Sequence, residues 1–266
     1  SLLITTESGQ IYFLDLKNDE ALYEGSNFKN LIASFHSEEI VAIDVAKCKP
    51  LVVSASKDRN IKVWNYHSGF LEVFEIFEEE PVNIAFHPNG LHLAALFRTK
   101  CKLMNVCDKS IRVYKEILID IPFDIKFSSY GNYFSICYSS KFVIYDFYNM
   151  EIKYKIIENT HKNEVNCLTW DNNAVLCEFN FATCGTDGKA YYWDINNTEY
   201  PVYEYVNKEK KFYGVNFYKL PDTSNTNMDK FYFLIIDDSS LIEVEGSLIY
   251  KEDGKIVHTK DFEGKK

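Results

Sequence analysis

A four-residue constellation occurs twice in this chain, as His36, Ser54, Asp58 and Trp64 and again as His161, Thr183, Asp187 and Trp193. In both copies the hydroxyl residue lies four positions before the Asp, the Trp lies six after it, and the His stands four ahead of an apolar run. Such a recurrence marks a structural repeat. Around it, Ile40-Val41-Ala42-Ile43-Asp44-Val45 and Ile61-Lys62-Val63-Trp64-Asn65-Tyr66 alternate, and Leu51 to Ser56 is a short apolar run. Bounded by Lys47-Cys48-Lys49-Pro50 and Lys57-Asp58-Arg59-Asn60, these segments predict antiparallel strands joined by tight turns, and Val165 to Ile195 repeats the layout.

With the Trp position as anchor, the repeat continues where tryptophan is absent. Equivalent positions fall at Leu14, Trp64, Met104, Tyr145, Trp193 and Val244, 40 to 51 residues apart. This period, with three or four short strands per unit, predicts about six β-propeller blades. A second column ends the innermost strand of successive units at Val45, Phe86, Phe127, Trp170 and Phe217. Both columns are expected to build the blade cores. Turns follow at His87-Pro88-Asn89-Gly90 and Ser128-Ser129-Tyr130-Gly131, where Gly supplies the positive φ of hairpin loops.

Over nearly its whole length the chain resembles the WD-repeat (WD40) family, most strongly at Ser54 to Asn65 and Thr183 to Asp194. The resemblance implies an all-β propeller of four-stranded antiparallel blades. It also implies a buried relay in which the Trp indole donates to the hydroxyl, the hydroxyl to His, and His to the Asp carboxylate. In relatives the residue just before that Asp faces the partner-binding rim, which gives Lys57, Thr186 and Asp237 here, with Arg59 beside them. Departures exist. Phe35 and Thr160 replace the usual Gly before each His, and Arg98 and Ser139 take the Asp position of the third and fourth repeats. Those middle blades are expected to hold by apolar packing.

A narrower similarity is carried by Lys49 to Tyr66, Leu71 to Gly90, Lys102 to Asn105 and Asp238 to Glu243. It is to the second propeller of a family of cilia- and flagella-associated WD-repeat proteins, whose members add long coiled coil and act as axonemal scaffolds linked to inner dynein arm assembly. The similarity implies that residues 1–266 are a single propeller cut from a longer protein. It further implies a cytoplasmic protein of the cilium or flagellum axoneme, with axonemal or dynein-arm proteins as partners.

Charge narrows the partners. With 39 acidic and 29 basic residues the net charge is −10, so little counterion release would reward binding to a phosphate backbone, and nucleic acid is not expected. Lys208-Glu209-Lys210-Lys211 reads as a solvated loop, and the acidic run Glu72, Glu75, Glu78, Glu79, Glu80 as a solubilising edge or a patch for basic partners. No apolar run is long enough for a membrane span. The seven cysteines contain no Cys-x-x-Cys pair, so neither a zinc site nor a disulfide framework is expected, and they read as small reduced hydrophobes. No phosphate loop or dinucleotide fingerprint is present, so no cofactor or small-molecule substrate is expected.

The His, Ser and Asp of the repeated set invite a hydrolase reading, since a nucleophile needs a base and an orienter in reach. Duplication of the set, a Trp as fourth member and the lack of a Gly-x-Ser-x-Gly elbow favour a structural role. His87 and His92 read as surface histidines. Tyr191-Tyr192 and the stretch Tyr200 to Tyr213 read either as an aromatic binding patch or as strand residues.

Leu2 to Thr6 align with the second strand of a repeat, so the first blade lacks an inner strand of its own. The segment Leu248 to Phe262 is expected to supply an outer strand and that missing inner one; the alternative is a seven-bladed ring left open. A rigid disc with loops on both faces suits a non-catalytic protein–protein scaffold. The axonemal version is favoured, and a general adaptor, such as a substrate receptor for ubiquitin ligation, is the alternative.

Overall fold

The computed structural model describes residues 2–5, 11–14, 28–32, 35–108, 110–156, 161–171, 180–195, 201–220, 228–238, 240–250, 256–258 and 264–265. Before residue 35, at 152–156 and in parts of the last sheet the backbone alone is described. The strands fall into six sheets, each made of consecutive antiparallel strands. The first holds β1 (Leu2–Thr5), β2 (Ile11–Leu14) and β3 (Phe28–Ile32). The second holds β4 (Ile40–Val45), β5 (Leu51–Ser56), β6 (Asn60–Asn65) and β7 (Phe70–Ile76), and the third β8 (Asn83–Phe86), β9 (His92–Leu96), β10 (Lys100–Val106) and β11 (Ile111–Leu118). The fourth holds β12 (Pro122–Phe127), β13 (Tyr133–Tyr138), β14 (Lys141–Asp146) and β15 (Ile152–Ile156), and the fifth β16 (Val165–Trp170), β17 (Asn180–Gly185), β18 (Lys189–Asp194) and β19 (Tyr203–Val206). The sixth orders β20 (Phe212–Leu220), β21 (Met228–Asp237), β22 (Leu241–Tyr250) and β23 (Ile256–His258), with β24 (Gly264–Lys265) also on β22.

Burial follows position within each sheet. In the second to fifth sheets the second and third strands are the most enclosed, and β5, β9, β13 and β17 are buried almost throughout. The outer strand β11 instead presents Arg112, Lys115 and Glu116 to solvent, the charged edge that discourages pairing with another sheet. Five of the six anchor residues lie on the third strand of their sheet, and Leu14 lies on the second strand of the three-stranded first sheet. Their register repeats, with Trp64 opposite Val52, Met104 opposite Leu93, Tyr145 opposite Phe134 and Trp193 opposite Phe181.

Bulges repeat too. A register shift follows the first residue of β4, β12, β16 and β20, and another precedes the anchor in β6, β10 and β14. Each bulge inserts one residue, bends its strand and sharpens the local twist.

Along the inner strands, side chains of one blade reach the backbone of the next. Asp44 accepts from Phe86 N–H at 2.7 Å, Asn83 donates to Phe123 O at 3.2 Å, Asp124 accepts from Leu168 N–H at 3.1 Å, and Asn166 donates to Phe212 O at 2.8 Å. Asn83 also donates to Asp124 at 3.0 Å. These bonds stitch the second to sixth sheets in chain order. Asp124 is nearly fully buried, and burial raises its pKa despite the N–H groups that point at it.

Apolar packing fills the space between blades. Cys137, Phe142 and Ile144 of the fourth sheet cover Val165, Leu168, Trp170, Phe181 and Trp193 of the fifth. Ala85, Ala94, Leu96, Cys101 and Leu103 of the third cover Ile125, Phe134 and Ile136 of the fourth. The third and fourth blades, which carry no His–Asp pair, thus rest largely on aliphatic and aromatic contact.

Two expectations need correction. Val45, placed in the core column, is 49% exposed, as are its face-mates Ile40 and Ile43 to 53% and 64%. The bulge at Val41 sets these three on one face of β4, and among the described residues no sheet covers it as the fourth covers the fifth. The C-terminal segment does supply an outer strand, β23, but β1 remains at the edge of its sheet and β24 joins β22. Lys255 and Thr259 lie outside the described residues, as do the side chains of Leu14, Phe217 and Val244.

Candidate functional site

The two constellations assemble at the same end of the second and fifth sheets. Trp64 Nε1–H donates to Ser54 Oγ at 2.9 Å, Ser54 Oγ lies 2.7 Å from His36 Nε2, and His36 Nδ1 lies 3.0 Å from Asp58. In the fifth sheet the distances are 3.0 Å for Trp193 to Thr183, 3.1 Å for Thr183 to His161, and 3.0 Å for His161 to Asp187. With the indole as fixed donor, one proton order satisfies every link: indole to hydroxyl, hydroxyl to Nε2, and Nδ1–H to carboxylate. Each Asp also anchors its turn. Asp58 accepts from Ser37 and Asn60 N–H, and Asp187 from Lys162 and Lys189 N–H.

Electrostatics fit that proton order. Burial lowers the His36 pKa against the raising effect of Asp58, which favours the neutral ring. For Asp58, burial acts to raise the pKa but the two N–H bonds and His36 outweigh it, leaving the carboxyl lowered. Asp187 is lowered by the same balance, with His161 the largest of the lowering partners. Each hydroxyl is buried and bonded on both sides, to the indole and to the imidazole.

Phe35, immediately before His36, stacks on Trp64 with centroids 6.1 Å apart. Its ring shields one face of the indole.

The residues proposed for the rim separate. Lys57 and Arg59 are exposed at the β5–β6 turn, Lys57 pairing with Glu39 at 2.5 Å and Arg59 sitting at φ 65°. Thr186 is half-buried in the matching β17–β18 turn. Its N–H donates to Glu164 O as Lys57 N–H donates to Glu39 O, both at 3.0 Å. Asp237 must be removed from the rim, because it is only 6% exposed. Its carboxylate accepts from Ser240 N–H and Oγ and from Lys210. The cause is turn length. Ile236 pairs with Leu241, whereas Ala55 pairs with Ile61, so the β21–β22 turn is one residue shorter and Asp237 takes the inward place that Ser56 has in the second sheet.

Lys57 and Arg59 open onto a basin of about 990 Å³ between the second and third sheets, lined also by Glu38, Glu78, Glu80 and Arg98. Glu79, in the same wall, pairs with Lys100 at 2.9 Å. The sequence did not show that Arg98 and the acidic run meet Lys57 and Arg59. A signal existed, since Arg59 and Arg98 stand in the corresponding turns of consecutive repeats.

Other candidates resolve toward structure. His87 is buried, not superficial. Its Nδ1 accepts from Asn89 N–H at 3.2 Å and its Nε2–H donates to Gly131 O at 3.1 Å, joining the β8–β9 and β12–β13 turns. Tyr191 and Tyr192 are buried on β18, while Tyr213 is exposed and Tyr200 lies outside the described residues. Lys210 is held by Asp237, whereas Lys208 and Lys211 are exposed. Cys48, Cys101, Cys107, Cys137, Cys167 and Cys184 are free thiols, with Cys177 outside the described residues. Among the described residues no group of three or more His, Cys, Asp or Glu side chains is placed to hold a metal ion.

Comparison with known proteins agrees with this geometry. The family described as "WD domain, G-beta repeat" matches residues 29–65 and 153–194, the stretches that carry the two constellations. The chain is 30% identical to Cilia- and flagella-associated protein 57 A of Tetrahymena thermophila over 74% of its length, and 28% identical to Cilia- and flagella-associated protein 57 of Mus musculus over 95%. It spans 15% and 19% of those two relatives. Among solved structures, the β-propeller domain of Myceliophteria thermophila Cps50 (Swd1) superposes with a TM-score of 0.62 over 95% of this chain and 80% of that one, at 13% identity.

Proposed function

We propose, from the premise that this chain is a WD-repeat β-propeller, that it is a non-catalytic protein–protein interaction scaffold of the cilium or flagellum. The observation that carries the binding role is the closure of both tetrads on themselves. Their polar groups are consumed in holding turns, which leaves exposed turn residues as the chemistry offered to a partner. The ciliary setting rests on similarity to Cilia- and flagella-associated protein 57 along 95% of the chain. On this reading Lys57, Arg59 and Thr186 form the contact rim, axonemal or inner dynein arm components are the partners, and the protein is made in the cytoplasm and retained in the axoneme.

Two experiments test it. Tagged full-length protein is expected to remain on axonemes after detergent extraction; a pool that extracts completely would instead favour a general adaptor such as a ubiquitin-ligase substrate receptor. For the rim, Lys57→Glu with Arg59→Glu is expected to abolish capture of the axonemal partners while leaving the thermal midpoint unchanged. Undiminished capture would remove those residues from the interface.

A further inference from the structure

The inner strands β4, β8, β12 and β16 run from the tetrad end of the molecule toward the opposite face, where their last residues gather around a second cavity. It measures about 230 Å³ and is walled by Val45, Phe86, Pro88, Phe127 and Trp170, with Asp44, Lys47, Lys126 and Thr169 supplying its polar groups. That volume suits a single side chain or chain terminus, being smaller than sites for drug-sized ligands.

The charges do not cancel. Asp44 is committed to Phe86 N–H at 2.7 Å and lies close enough to Lys47 to favour its charged form, although burial lowers the Lys47 pKa overall. Lys47 spans the cavity to donate to Ser129 O at 3.4 Å. Lys126 has no ion pair among the described residues, so the lining holds two ammonium groups, Lys47 and Lys126, against the single carboxylate of Asp44. The lining of the mouth therefore has one more cation than anion, in a molecule of net charge −10.

We propose that this mouth docks an acidic peptide segment of a partner protein, one carboxylate seating against the Lys126 ammonium with Lys47 beside it and the apolar walls taking the side-chain stem. An ammonium flanked by low-dielectric walls gives a charge-assisted contact stronger than the same pair on open surface. The acidic exterior opposes such a segment elsewhere, so the mouth also sets its register. At about 0.15 M salt the Debye length of about 8 Å screens that exterior while sparing the short contact. This face is opposite the rim of Lys57 and Arg59, and its occupation does not depend on that rim.

The test is fluorescence anisotropy of a labelled octaglutamate peptide on the folded chain at about 0.15 M salt. Saturable binding is expected, weakened about tenfold or more in Lys126→Gln, reduced in Lys47→Gln, and unchanged in Lys115→Gln on the exposed outer strand β11. Lys126→Arg, which keeps the charge, is expected to retain binding, with thermal melts confirming that each variant folds. No saturable binding, equal binding by wild type and Lys126→Gln, or equal loss in the Arg and Gln variants overturns the proposal. Inorganic phosphate saturating the site while octaglutamate does not compete would overturn it in favour of a phosphate group.

Discussion

At the scale of single residues, Asp58 and Asp187 each join a buried imidazole to the backbone of two turns. Removing one carboxylate strands three donors, so Asp187→Ala is expected to cost about 1–3 kcal/mol, read as a lowered thermal midpoint. Arg98→Ala, at the matching position of a blade without the relay, is expected to stay within about 0.5 kcal/mol. Protonation gives a second test. His36 and His87 are both lowered, burial being the largest cause in each, so between their folded and unfolded values the unfolded chain binds more protons. Stability is therefore expected to fall as pH drops below about 6.5, with a further loss below about 4 as Asp58 and Asp187 protonate. Urea midpoints that stay level between about pH 7.5 and 5.5 would contradict the histidine contribution. The tetrads were legible in sequence because their residue types pair with one another at fixed spacing. His87 and Asp124 were not, because each also bonds a backbone group of another blade, Gly131 O and Leu168 N–H, which leaves no trace in the side-chain pattern.

At the scale of elements, turns decide more than strands. Gly69 and Gly131 both have positive φ, 74° and 83°, yet a Cβ at Gly69 would meet nothing within 4 Å, whereas one at Gly131 would lie 2.1 Å from His87 Nε2. Gly69→Ala is expected to cost about 1–2 kcal/mol, the conformational term alone. Gly131→Ala must also displace a buried ring, adding about 1–3 kcal/mol. Equal denaturation midpoints for the two variants would show that the His87 bridge is dispensable. Strand positions were readable from alternation and from the Gly and Asn turns. The depth of Asp237 was not, because a turn shorter by one residue converts a rim position into an inward one without altering the strand pattern on either side.

At the scale of the whole molecule, what separates core from surface is whether a neighbouring sheet lies over a strand. Ile43 and Leu168 occupy the same place on inner strands, yet Ile43 is 64% exposed and Leu168 1%. Leu168→Ala is expected to cost about 2–5 kcal/mol and Ile43→Ala less than about 1 kcal/mol, a contrast that calorimetry of both variants would measure. Sequence periodicity showed which face of β4 is apolar and could not show what covers it. One more property follows from the inner-strand stitches. In Asp44, Asn83, Asp124 and Asn166 the hook is a side chain of the earlier blade and the catch is backbone of the later one. The Trp170 indole, reaching back to Ser135, is an exception. A chain leaving the ribosome at about 5–20 residues per second thus displays each hook on finished structure before its catch has been made. Synthesis and assembly then share one direction, and a stalled or truncated chain would end as a shorter row of complete blades.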